Sequence, residues 1–287
     1  MRMLVVDAFT DRAFAGNPAG VCLLDQAADA AWMQWMAAEM KHSETAFPRP
    51  LDGTDADFEL RWFTPAVEVA LCGHATLAAA HALYETGAVP AERPIRFRTL
   101  HSGVLTVRRD ERGWIEMDFP ACPAEPAEAP EELGEILGVP VSWTGRNRQR
   151  DLLVEVAGER TVRDLAPDLE AFARLGGRGV IVTAAADGPR DTGPGDGRGG
   201  RGDRADAGPR HDFVSRFFGA AVGVGEDPVT GSAHCALAPY WAERLGRDSL
   251  VGYQASARGG YVEATVHGDR VTLAGPAVTI LDGVLRV

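Results

Sequence analysis

The sequence predicts an α+β chain whose second half repeats the layout of the first, and three observations carry that prediction. Apolar strand-like runs and helix-like runs recur in the same arrangement in both halves. A proline- and glutamate-rich stretch, PACPAEPAEAPEELG, separates the halves near residue 120, and such a composition favours an exposed connection over packed structure. Finally, CGHATLAAAHAL (72–83) set beside TGSAHCALAPYW (230–241) pairs Gly73 with Gly231, Ala75 with Ala233 and Ala78 with Ala236 at one constant offset.

The first half opens with MLVVDAF, a valine-rich run that reads as a buried strand. The turn-prone FAGNPAG follows, where Asn17 is most simply a turn residue and a substrate contact is the other reading, and then a second short run, VCLLD. Residues 28–40 carry strong helix formers and are expected to place Trp32, Trp35, Met36 and Met40 on one core-facing stripe. SETAF and FELRWFT read as strands, GHATLAAAHALYETG as a helix ended by Gly87, and PIRFRTL, GVLTVRR and GWIEMDF as consecutive β-segments. Two domains are therefore expected, 1–120 and 121–287.

In the second half DLLVEVAG and GVIVTAAA read as strands, with turn and helix between them despite Pro167. Residues 186–211 have almost no large apolar side chain and are expected to form a mobile surface insertion, whose RGD triplet is a product of composition. DFVSRFFG reads as a strand leading through GVGEDPVTG into the helix SAHCALAPYWAERLG, which Pro239 is expected to bend or shorten. LVGYQAS, YVEATVHG and RVTLAGPAVTILDGVLRV complete the chain, the last strand being a candidate to cross back to the first half.

Composition narrows the chemistry. With 41 acidic against 29 basic residues the net charge is −12, which repels nucleic-acid phosphates and anionic membranes, so neither partner is expected. Lys41 is the only lysine, a poor basis for Schiff-base or pyridoxal phosphate chemistry. The cysteines Cys22, Cys72, Cys122 and Cys235 form no CxxC pair, so no zinc site or disulfide framework is read and free thiols in a reducing cytosol are expected. No apolar run reaches the roughly 20 residues needed to span a bilayer, and Met1 leads straight into a strand-like segment, so a cytoplasmic protein is expected.

A glycine followed by a helix start exposes backbone N–H groups without helical partners, and the dipole there favours negative charge. Two such ends, at Gly73 and Gly231, facing each other across a cleft would hold a small acidic substrate without a Lys or Arg contact.

The blocks FAGNPAGV, SETAF (43–47), FTPAVEVALCGHATLAAAHAL (63–83) and SRFFGAAVGVGEDPVTGSAHCALA (215–238), in this order over nearly the whole chain, resemble the PhzF-like (phenazine biosynthesis) isomerases of the diaminopimelate-epimerase fold. The resemblance implies two pseudo-symmetric domains, each a curved, mostly antiparallel sheet or barrel around a central helix. It also implies an active site in the cleft between them, no cofactor, and a homodimer. It carries the family's catalytic glutamate to Glu44, its histidine to His74, and the aspartate and serine of DPxTGSA to Asp227 and Ser232. Asn17, Gly73, Ala75, Thr230 and Gly231 become candidate substrate-binding positions. Other readings stand beside these: Glu44 as a surface residue, His74 as a packed or capping residue, Asp227 as a brace before Pro228, and Ser232 as a local helix-start hydroxyl.

Racemases of this fold use one thiol on each face of the substrate. Cys72 stands before Gly73, but Thr230 stands before Gly231 and its hydroxyl is too weak an acid to replace a thiol. The expected reaction is thus a cofactor-independent proton shift within a small carboxylic or amino acid, with Glu44 as acid and base and no metal. An epimerase, racemase or lyase acting on another small acid, or a non-catalytic binding protein, are the alternatives.

Overall fold

The computed structural model describes all residues except 54, 167, 189–209, 221–223 and 287, so most of the 186–211 insertion lies outside the described residues. In chain order the first half runs β1 (Arg2–Ala8), β2 (Asn17–Leu23), α1 (Ala30–Met40), β3 (Glu44–Pro50), β4 (Phe58–Phe63), β5 (Glu68–Val69), α2 (Gly73–Glu85), β6 (Ile95–Arg98), β7 (Val104–Arg109) and β8 (Ile115–Pro120). A connection with β9 (Glu125–Pro126) and α3 (Leu133–Leu137) leads on to β10 (Val141–Arg146), β11 (Leu152–Val156), α4 (Glu159–Asp164), α5 (Leu169–Arg174) and β12 (Val180–Ala185). Then follow β13 (Phe213–Gly219), β14 (Val224–Asp227), α6 (Gly231–Leu245), β15 (Ser249–Gln254), β16 (Gly260–His267), β17 (Arg270–Gly275) and β18 (Ala277–Val284).

The strand pairings repeat one for one. In the first half β1–β2 is antiparallel, β2–β3 parallel, β3–β4 antiparallel, β4–β6 parallel, and β6–β7 and β7–β8 antiparallel, with β5 on β4. In the second half β10–β11, β11–β12, β12–β13, β13–β15, β15–β16 and β16–β17 follow the same series, with β14 on β13. The halves join where β8 lies antiparallel to β17. The last strand crosses back, β18 pairing with β1 of the first half, while β9 in the proline-rich connection pairs with β10. The fold is a mixed α/β one, a large curved sheet with few helices, in which α2 packs against β1, β2, β3, β8 and β18 and α6 against β15–β17.

Residue chemistry explains the enclosure. The small apolar side chains of α2 (Ala75, Ala78, Ala79, Ala80 and Ala82, with Leu77 and Leu83) are buried nearly all round, the pattern of a helix covered on every side. Alanine also keeps the helix slim, so the strands can close over it.

Four readings from the sequence need correction. Trp35 is 71% exposed, whereas Met33, Met36 and Ala37 are buried; at 100° per residue Trp35 falls about 150° round the axis from that stripe. Asn17 is the fully buried first residue of β2, not a turn residue. The closing β-run breaks into β17 and β18 at Pro276. Helix α6 is not cut short at Pro239 but continues to Leu245. A proline there cannot donate to the carbonyl of Cys235, and that carbonyl instead accepts the backbone N–H of Cys122 at 2.9 Å.

The first residues of α2 and α6 touch. A Cβ placed on Gly73 would sit 3.3 Å from Gly231 Cα, and one on Gly231 would sit 3.3 Å from Gly73 Cα. Both neighbours are backbone, so neither can rotate away. Gly231→Ala is expected to push the two helix starts apart and to destabilise the protein by roughly 1–3 kcal/mol in urea denaturation; an unchanged midpoint would mean that the apposition is loose.

Candidate active site

The apposed glycines fix the position of everything around them. Cys72 and Thr230 occupy the N-cap positions of α2 and α6 in extended conformation, and neither side chain caps its helix, so both are free for other partners. His74 follows on the first turn of α2. Glu44 opens β3, held in the sheet between β2 and β4.

Glu44 and His74 meet: His74 Nε2 lies 3.3 Å from Glu44 Oε2, with side chains 5% and 17% exposed respectively. The alignment is off, so Nε2 is left without a hydrogen-bond partner. On the other side of the ring, Nδ1 is 3.5 Å from Cys72 Sγ. Burial, reinforced by the negative charge of Asp227, lifts the Glu44 carboxyl from its ordinary value to about 8, against a smaller opposing hydrogen bond from Cys72. Burial lowers His74 to about 3, so its imidazole is uncharged near neutral pH. Burial, with the Glu44 charge beside it, raises the Cys72 thiol well above its usual value. The Ala75 methyl itself is buried in the core cluster, so this residue offers a ligand no side chain.

Asp227, the last residue of β14, sits in a cage of donors. Asn17 Nδ2 reaches across from the first half to Asp227 Oδ1 at 2.8 Å and to the Val229 carbonyl at 2.9 Å. The Thr230 hydroxyl donates to Oδ2 at 2.5 Å. Gln254 Nε2 donates to the Asp227 carbonyl and to Thr230 Oγ1, while its Oε1 accepts the Thr230 N–H. Burial raises Asp227 to about 6, while the bonds from Thr230 and Asn17 and the Arg178 charge pull the other way.

Ser232 occupies on α6 the place that His74 has on α2. Its hydroxyl accepts from Arg178 Nη2 at 3.0 Å, and Arg178 is clamped by the fully buried Asp151 at 2.7 and 2.5 Å. Ser232 thus faces a guanidinium, and the site carries the arginine that the sequence reading had left out. Glu44, His74, Asp227, Asn17, Gly73, Thr230 and Gly231 converge on the glycine junction, and Ser232 stands on its Arg178 side. Sequence reasoning missed Gln254, Arg178 and the placement of Cys72 against His74. The Cys72–Thr230 equivalence under the internal repeat was the available signal for the last of these. Among the described residues, Glu44, Cys72 and His74 are also a trio that could hold a metal ion, with one donor atom from each within 4.8 Å of the other two.

The family model for phenazine biosynthesis-like (PhzC-PhzF) proteins matches residues 6–193 and 201–283. The chain belongs to this family. An uncharacterized isomerase of Halalkalibacterium halodurans is 46% identical over 280 residues, covering 96% of this chain and 95% of that protein. A human phenazine biosynthesis-like domain-containing protein is 38% identical over 99% of this chain and 98% of its own length. The crystal structure of a PhzF-family protein from Enterococcus faecalis is 37% identical and superposes with a TM-score of 0.85, covering 98% of this chain and 97% of that one. A hydroxyproline epimerase from Agrobacterium vitis, 12% identical with a TM-score of 0.58 over 99% of this chain and 91% of that one, shares the fold alone. With its family shown and close relatives named as isomerases, this PhzF-family chain is an isomerase-type enzyme. Among its described residues no helix is long and apolar enough to cross a membrane.

Proposed function

We propose that this PhzF-family enzyme shifts a proton between two positions of a small carboxylic or amino acid, with Glu44 serving first as base and then as acid. The observation that carries this reading is the buried Glu44 carboxyl, raised to about 8, beside an uncharged imidazole at the meeting point of two helix starts. The Glu44 carboxylate takes a proton from an activated carbon, the electron pair spreads into the substrate's conjugated system, and the resulting Glu44 carboxylic acid returns the proton to another carbon. His74, Asp227 and the helix-start amides would hold the substrate's polar groups and the charge that develops on it.

A two-base exchange through thiols fits less well. Thr230 stands where the second thiol would be, and its hydroxyl is spent on Asp227. Cys72 is held as a thiol rather than a thiolate.

The test is a panel of small carboxylic and amino acids incubated with the enzyme in D2O and read by NMR. The expected result is deuterium in one compound, with its double bond or proton displaced, and none with Glu44→Gln. Incorporation that survives Glu44→Gln but is lost in Cys72→Ser would overturn the proposal in favour of an epimerase or lyase; wild-type enzyme inert to every acid would favour a binding protein.

A further inference from the structure

Three donors of different chemistry converge beside the glycine junction: the Glu44 carboxyl, the Cys72 thiol and the His74 imidazole, with one donor atom from each within 4.8 Å of the other two. A four-coordinate zinc ion, with bonds of about 2.0–2.3 Å, holds its ligand atoms roughly 3.5 Å apart. The gaps of 3.5 Å from Cys72 Sγ to His74 Nδ1 and 3.3 Å from His74 Nε2 to Glu44 Oε2 are of that size, but they run to different nitrogens of the ring. A turn of the imidazole is the remaining adjustment, since one nitrogen must face both partners. His74 Nε2 is buried and lacks a hydrogen-bond partner, a donor position that burial in a finished protein core would leave costly.

We propose that Glu44, Cys72 and His74 form an inhibitory site for a thiophilic divalent cation, Zn2+ or an ion of similar chemistry. A thiol in the ligand set selects against Mg2+ and Ca2+, which prefer all-oxygen shells. Binding exchanges protons for metal without redox change: the S–H bond of Cys72 and, where it is protonated, the O–H bond of Glu44 break, each proton leaves to solvent, and Zn–S, Zn–O and Zn–N bonds form with neutral His74. Three protein ligands leave the fourth position to water, the arrangement of an open site. The inhibitory half of the proposal rests on Glu44 being the proton carrier, because a carboxylate bound to metal cannot take up the substrate's proton; the binding half does not depend on it.

The test uses the full-length protein, freed of metal by chelation and titrated with Co2+ as a spectroscopic probe. A thiolate-to-cobalt charge-transfer band with four-coordinate visible bands is expected, displaced by Zn2+ at one equivalent. Cys72→Ser should lose the band and weaken binding at least about tenfold, while Cys122→Ser keeps both. If Cys72→Ser does not fold, X-ray absorption on the zinc-loaded wild-type protein decides: one sulfur with nitrogen and oxygen neighbours supports the site, and a shell without sulfur overturns it. Absence of binding, or a band unchanged in folded Cys72→Ser, also overturns it. Turnover separates the two proposals. Chelated enzyme that keeps turnover and loses it on adding Zn2+ supports both. Turnover lost on chelation alone removes the metal-free proton shuttle and leaves the binding site to be judged by its spectrum.

Discussion

Glu44→Gln is expected to lower turnover about 10²–10⁴-fold, the usual contribution of a positioned acid/base group, while making the folded protein more stable near pH 8. The two effects share one cause. Glu44 is placed where burial, and then the nearby Asp227 charge, disfavour its ionised form. Such a carboxyl in an unfolded chain releases its proton near 4.5, whereas in the fold it keeps the proton up to about 8. Between those values the folded state binds more protons than the unfolded one, so stability falls as pH rises through that window. Glutamine keeps the shape without the ionisation, so the variant should gain on the order of a few kcal/mol at pH 8 and little at pH 4. Chemical denaturation at the two pH values, beside a turnover assay, checks both halves. A variant that loses activity and is also destabilised at pH 8 would mean that Glu44 supports the fold rather than the reaction.

The pH dependence of kcat/KM should be steep and of one sign. If the ionised carboxyl must begin the reaction, kcat/KM rises about tenfold per pH unit below about 8 and levels off above it, a gain of roughly two decades between pH 6 and 8. The neighbouring groups do not give the same profile. His74 is pushed by burial to about 3 and stays neutral throughout, and the Cys72 thiol is held well above its ordinary value. Asp227, raised by burial to about 6, ionises first, and its charge helps keep the proton on Glu44. Asp227→Asn should therefore move the rise toward lower pH. A flat profile from pH 6 to 8 would contradict the assignment, and a fall above pH 8 would mean that proton donation comes first.

Much of the fold was legible because its signals are local. Runs of strand and helix character marked most elements, though not β5, β9, α3, β10 or β14, and the glycine offset between 73 and 231 anticipated the contact of two helix starts far apart in the chain. What escaped depends on partners that are distant in sequence. Pro239 is read locally as a helix breaker, and only the arrival of the Cys122 N–H at the Cys235 carbonyl explains why α6 continues. Asn17 looks like turn chemistry in GNP, yet its amide is used 210 positions away on Asp227. Gln254 lies in an unremarkable strand, and its role is defined by Thr230 and Asp227 alone. Arg178 follows a glycine pair in a loop, and only the fold sets it beside Ser232. In the sequence Cys72 reads as half of a missing thiol pair, and only the fold sets it against His74.

The most direct measurement follows the label inside one turnover. With a substrate from the acid panel deuterated at the carbon that loses its proton, and the reaction run in ordinary water, a single buried carboxyl that removes and returns the same hydrogen should carry part of the deuterium to the second carbon. Product without any transferred deuterium, formed at undiminished rate by Glu44→Gln, would contradict the account.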